Sequence, residues 1–180
     1  MASFVHTDLP QHQGRGPRKY YEPENEEPNI HLREVNAYRR LQEHRLDERG
    51  IIPHFFGSIF ALDPKLCQPH LDKYLGEEYL PNAIFLEYIP NMEKIDLHNY
   101  TDKRLDALAE GLREIHKALV FHGDVKARNM IVFKDDPNRA MWIDFDNAVT
   151  FEEDKLRDRD RRCLRSEELG LLGMKETMVS

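Results

Sequence analysis

The sequence predicts an α+β protein, and three observations carry that prediction. Two runs, 51–60 and 83–90, are apolar with β-branched and aromatic residues; the first reads as a turn entering a buried strand and the second as a compact buried strand. Two other stretches place apolar residues at helical spacing. Ile30, Val35, Tyr38, Leu41 and Leu46 mark one helix over about 30–47, and Leu105, Leu108, Ala109, Leu112, Ile115 and Leu119 mark a cleaner one over about 102–119. The short apolar runs 130–133 and 140–143 flank a stretch of turn formers and read as a hairpin. A chain of 180 residues is one domain or one small two-part unit and can bury a core.

Taken in order, residues 1–17 hold two Pro, two Gly and few apolar anchors, and read as a flexible tail with Phe4-Val5 as a weak strand at most. Gly14-Arg15-Gly16 is too short for a phosphate-gripping glycine motif. Lys19-Tyr20-Tyr21 ends a short strand, and the acidic stretch to Asn29 is turn-like. The first helix is expected to stop before Gly50, with Glu34 on its early turns, where the helix dipole favours a carboxylate. Residues 63–82 contain three Pro and no period, and are expected to be a loop excursion. Thr101-Asp102 is an N-cap pair for the second helix. His116, near the apolar face of that helix, is read as an ordinary buried or rim histidine. Beyond Thr150 the sequence turns mixed-sign, and 152–168 is expected to be an exposed helix laced with ion pairs. Leu169, Leu171, Leu172 and Met174 would dock it, while Gly170 and Gly173 would loosen its end.

Composition narrows the function classes. Net charge is −7, which argues against nucleic acid or an anionic membrane as the main partner. No apolar stretch approaches the length of a membrane span. The amino terminus shows no basic region followed by an apolar run, so the expectation is a cytoplasmic or nuclear protein that is not secreted. Cys67 and Cys163 form neither a disulfide framework nor a zinc pattern.

The chemistry concentrates in His122-Gly123-Asp124-Val125-Lys126-Ala127-Arg128-Asn129 and its echo Trp142-Ile143-Asp144-Phe145-Asp146. An Asp, an Asn shortly after it and a second Asp further on are the groups that phosphoryl transfer requires. One carboxylate orients or deprotonates the acceptor hydroxyl. The others hold Mg²⁺, a hard cation that takes one or two carboxylates together with phosphate oxygens. Asp124 is the candidate base, and Asn129 and Asp144 are the candidate metal ligands.

The pattern H-x-D-x-K-x-x-N followed by I-D-F resembles the catalytic loop and metal motif of the protein-kinase-like superfamily. The H-G-D form is similar to aminoglycoside and choline phosphotransferases, and the whole run resembles short kinase-like proteins of filamentous fungi. That resemblance implies a minimal two-lobed fold: a partial N-lobe over 18–90, whose reduced sheet carries one helix, and a reduced helical C-lobe over 91–180 with a catalytic hairpin. It implies ATP and Mg²⁺ as cofactors and a hydroxyl acceptor, small molecule or protein. Lys126 would steady the γ-phosphate, and Lys19 would pair with Glu34 and hold the other phosphates. Glu87 and Ile89 would offer backbone groups to the adenine, and His122 would brace the loop. Gly123 stands where regulated kinases carry an Arg, and Asp146 where they carry a Gly. A glycine-rich loop before Lys19 and an Ala-Pro-Glu motif are missing from the pattern. The alternative function is therefore a weak or inactive pseudokinase that binds nucleotide or protein, with a partner chain completing the shortened lobes.

Overall fold

The computed structural model describes residues 4–8, 27 and 29–179, with side chains at 27 and 29–175. It is α+β, with three α-helices and three small antiparallel sheets among the described residues.

The amino-terminal sheet has the order β1-β3-β2, from β1 (Phe4–Asp8), β2 (Phe55–Ile59) and β3 (Asn82–Leu86). The tail reading is corrected here. Residues 4–8 form a full strand antiparallel to β3, with Phe4 opposite Leu86. The expected burial of the strand within 51–60 is also corrected. Phe55 is buried, yet Phe56 is 65% exposed and Phe60 51% exposed. β2 is an edge strand, and successive side chains leave it on opposite faces, so an apolar run need not be buried throughout. β3 stops at Leu86, short of the expected 83–90, and Glu87 N still donates to His54 O at 2.8 Å.

Helix α1 (Ile30–Glu43) starts where Asn29 accepts from Leu32 N at 3.2 Å. It ends earlier than expected, at Glu43, and Arg45 turns the chain at φ 58. Leu46 stays in the core beyond that turn. The excursion at 63–82 contains two short 3-10 turns, and Leu62, Leu71 and Tyr74 pack there with Ala83 as a small separate cluster.

The hairpin of β6 (Met130–Phe133) and β7 (Ala140–Trp142) forms as expected, with Met130 opposite Trp142. β4 (Met92–Lys94), unseen in the sequence, adds to the far edge of β6. Helix α2 (Asp102–Lys117) is capped by Thr101 and lays Leu105, Leu108, Leu112 and Ile115 into the main core. Trp142 Nε1 donates to Leu108 O at 3.0 Å, pinning the hairpin to α2. β5 (Val120–Phe121) and β8 (Val149–Thr150) pair as a two-residue ribbon on either side of the hairpin in sequence.

Helix α3 (Asp158–Val179) runs straight through Gly170 and Gly173, which overturns the expected loose ending. Each helical glycine costs about 1 kcal/mol. Burial of Cys163, Leu164 and Leu171 offsets that cost. Leu171 and Met174 dock as expected, whereas Leu169 and Leu172 face outward. Neither Cys67 nor Cys163 is in a disulfide. Among the described residues, no helix is long and apolar enough to cross a membrane.

Candidate functional site

The hairpin places two of the expected ligands at one end of its sheet. Asn129 closes a 3-10 turn immediately before β6, and Asp144 follows β7. The two loops are joined directly, because Ile143 N donates to Asn129 O at 3.1 Å. Asp144 adopts φ 69, a left-handed conformation that aspartate tolerates better than most residues.

Asp124, Lys126 and Asn129 form one cluster. Asn129 is buried, and its Nδ2 donates to both Asp124 O and Asp124 Oδ2, each at 2.9 Å. Its side-chain oxygen takes no part in these two bonds. Asp124 is itself buried, with Lys126 Nζ 2.6 Å from Oδ1 and an Arg128 guanidinium nitrogen donating to Oδ2. Burial pushes the Asp124 carboxyl up, but hydrogen bonds from Lys126 and Asn129 and the charges of Lys126 and Arg128 outweigh it. The net shift is downward. Asp124 is therefore held as an ionised hydrogen-bond acceptor.

A cavity of about 310 Å³ opens beside this cluster. Glu34 and Tyr38 of α1 line it, with Leu86, Glu87 and Ile89 at the end of β3, Ile131 and Ile143 from the hairpin, and Asp144. The structure thus gathers Glu34, Glu87, Ile89 and Asp144 on one cavity and Asp124, Lys126 and Asn129 in the neighbouring cluster. Glu34 is buried there rather than solvated at a helix start. The amide of Glu87 is already used by His54 O, so its carbonyl and the Ile89 amide are the main-chain groups in question. Lys19 lies outside the described residues.

A row of rings ties these parts together. Phe55 stacks on Tyr38 at 5.8 Å, Tyr38 meets Phe145 edge-on at 5.1 Å, and Phe145 meets His122 at 4.7 Å. β2, α1, the Asp144 loop and the Asp124 loop are therefore packed in series. Burial lowers the His122 pKa, so the ring stays neutral, packed against Trp142 and Phe145. Burial raises the Tyr38 hydroxyl, with the Glu34 charge acting in the same direction. The helical spacing had marked Tyr38 only as core.

Two further residues shape this loop. Gly123 sits at φ 80, and a Cβ there would lie 2.1 Å from Asn147 O. No side chain fits, so the Arg expected of regulated kinases is excluded sterically. Glu167 of α3 reads in sequence as one carboxylate in an exposed charged helix, but it is nearly buried. Its Oε2 accepts from His122 N at 3.0 Å and its Oε1 from Gly123 N at 2.7 Å. His116 lies between Glu167 Oε2 at 3.0 Å and Glu168 Oε1 at 2.8 Å, so both ring nitrogens are engaged. Glu167→Ala is expected to cost about 2 kcal/mol by stranding two amides. A denaturant melt checks it, and an unchanged midpoint would refute the anchoring role.

Among the described residues, no group of three or more His, Cys, Asp or Glu could hold a metal alone. The donor set present, one carboxylate at Asp144 and one amide oxygen at Asn129, suits a cation that brings phosphate oxygens and water with it. The chain matches no family model and no curated protein sequence.

Proposed function

We propose that the chain is a kinase-like phosphotransferase with a minimal two-lobed arrangement, moving the γ-phosphate of ATP to a hydroxyl acceptor. The observation that carries this reading is the cavity that has Asp144 on its wall and the Asp124–Asn129 cluster joined to that wall through Ile143. Its volume is at the lower end for small-molecule sites. The apolar side chains Leu86, Ile131 and Ile143 suit a purine ring, and the main chain from Glu87 to Ile89 supplies polar groups at its edge. Asn129 and Asp144 would hold Mg²⁺, which when bound offsets charge on the phosphates.

Asp124 accepts the hydrogen bond of the acceptor hydroxyl and fixes its oxygen in line with the γ-phosphorus. As the new O–P bond forms, the bridging oxygen leaves with the electron pair of the broken bond as ADP, and the hydroxyl proton passes toward Asp124. Lys126 turns from Asp124 toward the transferred group and stabilises its charge. The ring row from Phe55 to His122 and the Glu167 anchor hold the loop in place, which is the preorganisation the step needs.

Calorimetric titration with ATP, with and without Mg²⁺, tests the reading. Saturable binding that requires Mg²⁺ is expected, and Asp144→Ala should weaken it by roughly tenfold or more. No binding at millimolar nucleotide would refute it. One observation favours the second reading, a nucleotide-binding module without turnover: both oxygens of Asp124 already carry cationic partners. Magnesium-dependent binding with no transfer to any acceptor, and no phosphate release, would select that reading.

A further inference from the structure

The cations on Asp124 point to the acceptor itself. Oδ1 is held by Lys126, and Oδ2 by Arg128 and Asn129. The carboxylate is 7% exposed as a side chain, whereas the Lys126 and Arg128 side chains are 60% and 54% exposed. One buried negative charge thus lies under two outward-facing positive ones. Among the described residues, the hydrogen-bond partner of Arg128 is Asp124, through a single guanidinium nitrogen. The Arg128 side chain is otherwise more than half exposed, and a guanidinium fork can grip an oxyanion through two parallel bonds.

We propose that Arg128 binds an oxyanion carried by the acceptor, so that the substrate is a hydroxyl compound with a phosphate, sulfate or carboxylate beside its hydroxyl. This rests on the phosphotransfer reading above. To reach Oδ2, a neutral hydroxyl would have to displace the charge-assisted bond of Arg128 and would offer nothing in return. An acceptor oxyanion draws the Arg128 fork outward and leaves Oδ2 open to the hydroxyl of the same molecule. Lys126 cannot serve both ends, since the transferred phosphoryl group claims it. Oδ2 is therefore uncovered when a charged acceptor arrives, and water, which is neutral, is a poor substitute for it.

The test uses the full chain saturated with Mg²⁺ and the non-hydrolysable analogue AMP-PNP, which fills the donor side. Inorganic phosphate is then titrated as the oxyanion probe, with glycerol as an uncharged control, and heat is recorded. Saturable phosphate binding is expected in the wild type, weakened roughly tenfold or more in Arg128→Gln, with Arg128→Lys in between because a point charge replaces a fork. Identical phosphate isotherms for wild type and Arg128→Gln, or no phosphate binding to either, would overturn the inference. If AMP-PNP itself fails to bind, the phosphotransfer reading falls. The phosphate titration without nucleotide then still decides whether Arg128 builds an oxyanion site. Arg128 is exposed, so both variants are expected to melt as the wild type does.

Discussion

Asp124→Ala is expected to lower phosphoryl transfer by roughly two to four powers of ten while leaving Mg-dependent ATP binding in place. The expectation follows from where Asp124 stands. It does not line the cavity that holds Glu34, Glu87, Ile89 and Asp144, so nucleotide contacts survive its loss. The fold should survive as well. Asn129 Nδ2 keeps its bond to the main-chain oxygen of residue 124, and the exposed Lys126 and Arg128 return to water at little cost. A rate loss of this size at unchanged ATP affinity separates a group acting on the acceptor from one that only binds nucleotide. If turnover is unchanged, Asp124 is not the acceptor-orienting carboxylate. The pH dependence follows from the downward shift of this group. An ordinary Asp titrates near about 3.9, and a depressed one titrates lower still. Asp124 therefore stays ionised, and its contribution to stability is present, above its unfolded value. That contribution is lost only as pH falls through the folded value. No acid limb from Asp124 should appear in turnover across roughly pH 5 to 8. Such a limb, abolished in Asp124→Ala, would contradict the clamping by Lys126 and Arg128.

Gly123→Ala is expected to destabilise the protein by about 3 kcal/mol or more, a large part of the total stability of an ordinary domain. Two effects combine. The backbone at φ 80 disfavours any L side chain, at a cost of roughly 1–2 kcal/mol. The added Cβ would also sit 2.1 Å from Asn147 O and 2.8 Å from its carbonyl carbon, which are main-chain atoms with no rotamer to change. Neither side can retreat easily. Gly123 N is tied to Glu167, and the turn after Asp144 is closed by Ala148 N donating to Phe145 O at 3.0 Å. Denaturant unfolding of the variant measures the effect, and a midpoint within error of the wild type would refute the close approach. The glycine in the H-G-D motif is thus a packing requirement, independent of whether an activation segment is phosphorylated.

The two motifs were legible because their chemistry is local. Asp124 and Asn129 sit on one loop, and the short hairpin that delivers Asp144 announces itself by apolar runs around turn formers. α2 was legible for a similar reason: its cap and its apolar stripe are written within one helix length. The misreadings share a cause. β1 pairs with β3 across the whole amino-terminal part, and the residues of strand 4–8 carry no period strong enough to announce a partner so distant. The apolar run at 51–60 was legible as β-forming, but not as an edge strand. Which strand lies at an edge depends on what pairs beside it.

Glu167, Tyr38 and Arg128 show the same division at the site. In sequence each is the commonest thing it could be: a surface carboxylate, a core aromatic and a basic residue in a loop. Glu167 becomes an anchor because α3 packs against α2 and sets its carboxylate under the amides of His122 and Gly123. Tyr38 becomes a link between two loops because α1 lies across Phe145.

By itself the sequence determined the α+β class, the two helices with the cap of the second, the hairpin over 130–143 and the polar residues Asp124, Asn129 and Asp144 as candidates. These rest on propensity and spacing over a few residues. Only the tertiary structure decided that Glu34, Glu87, Ile89 and Asp144 share one cavity, that Gly123 admits no side chain, and that a carboxylate from α3 anchors the loop. Those facts depend on long-range packing, where burial and close approach are set by what arrives from elsewhere in the chain.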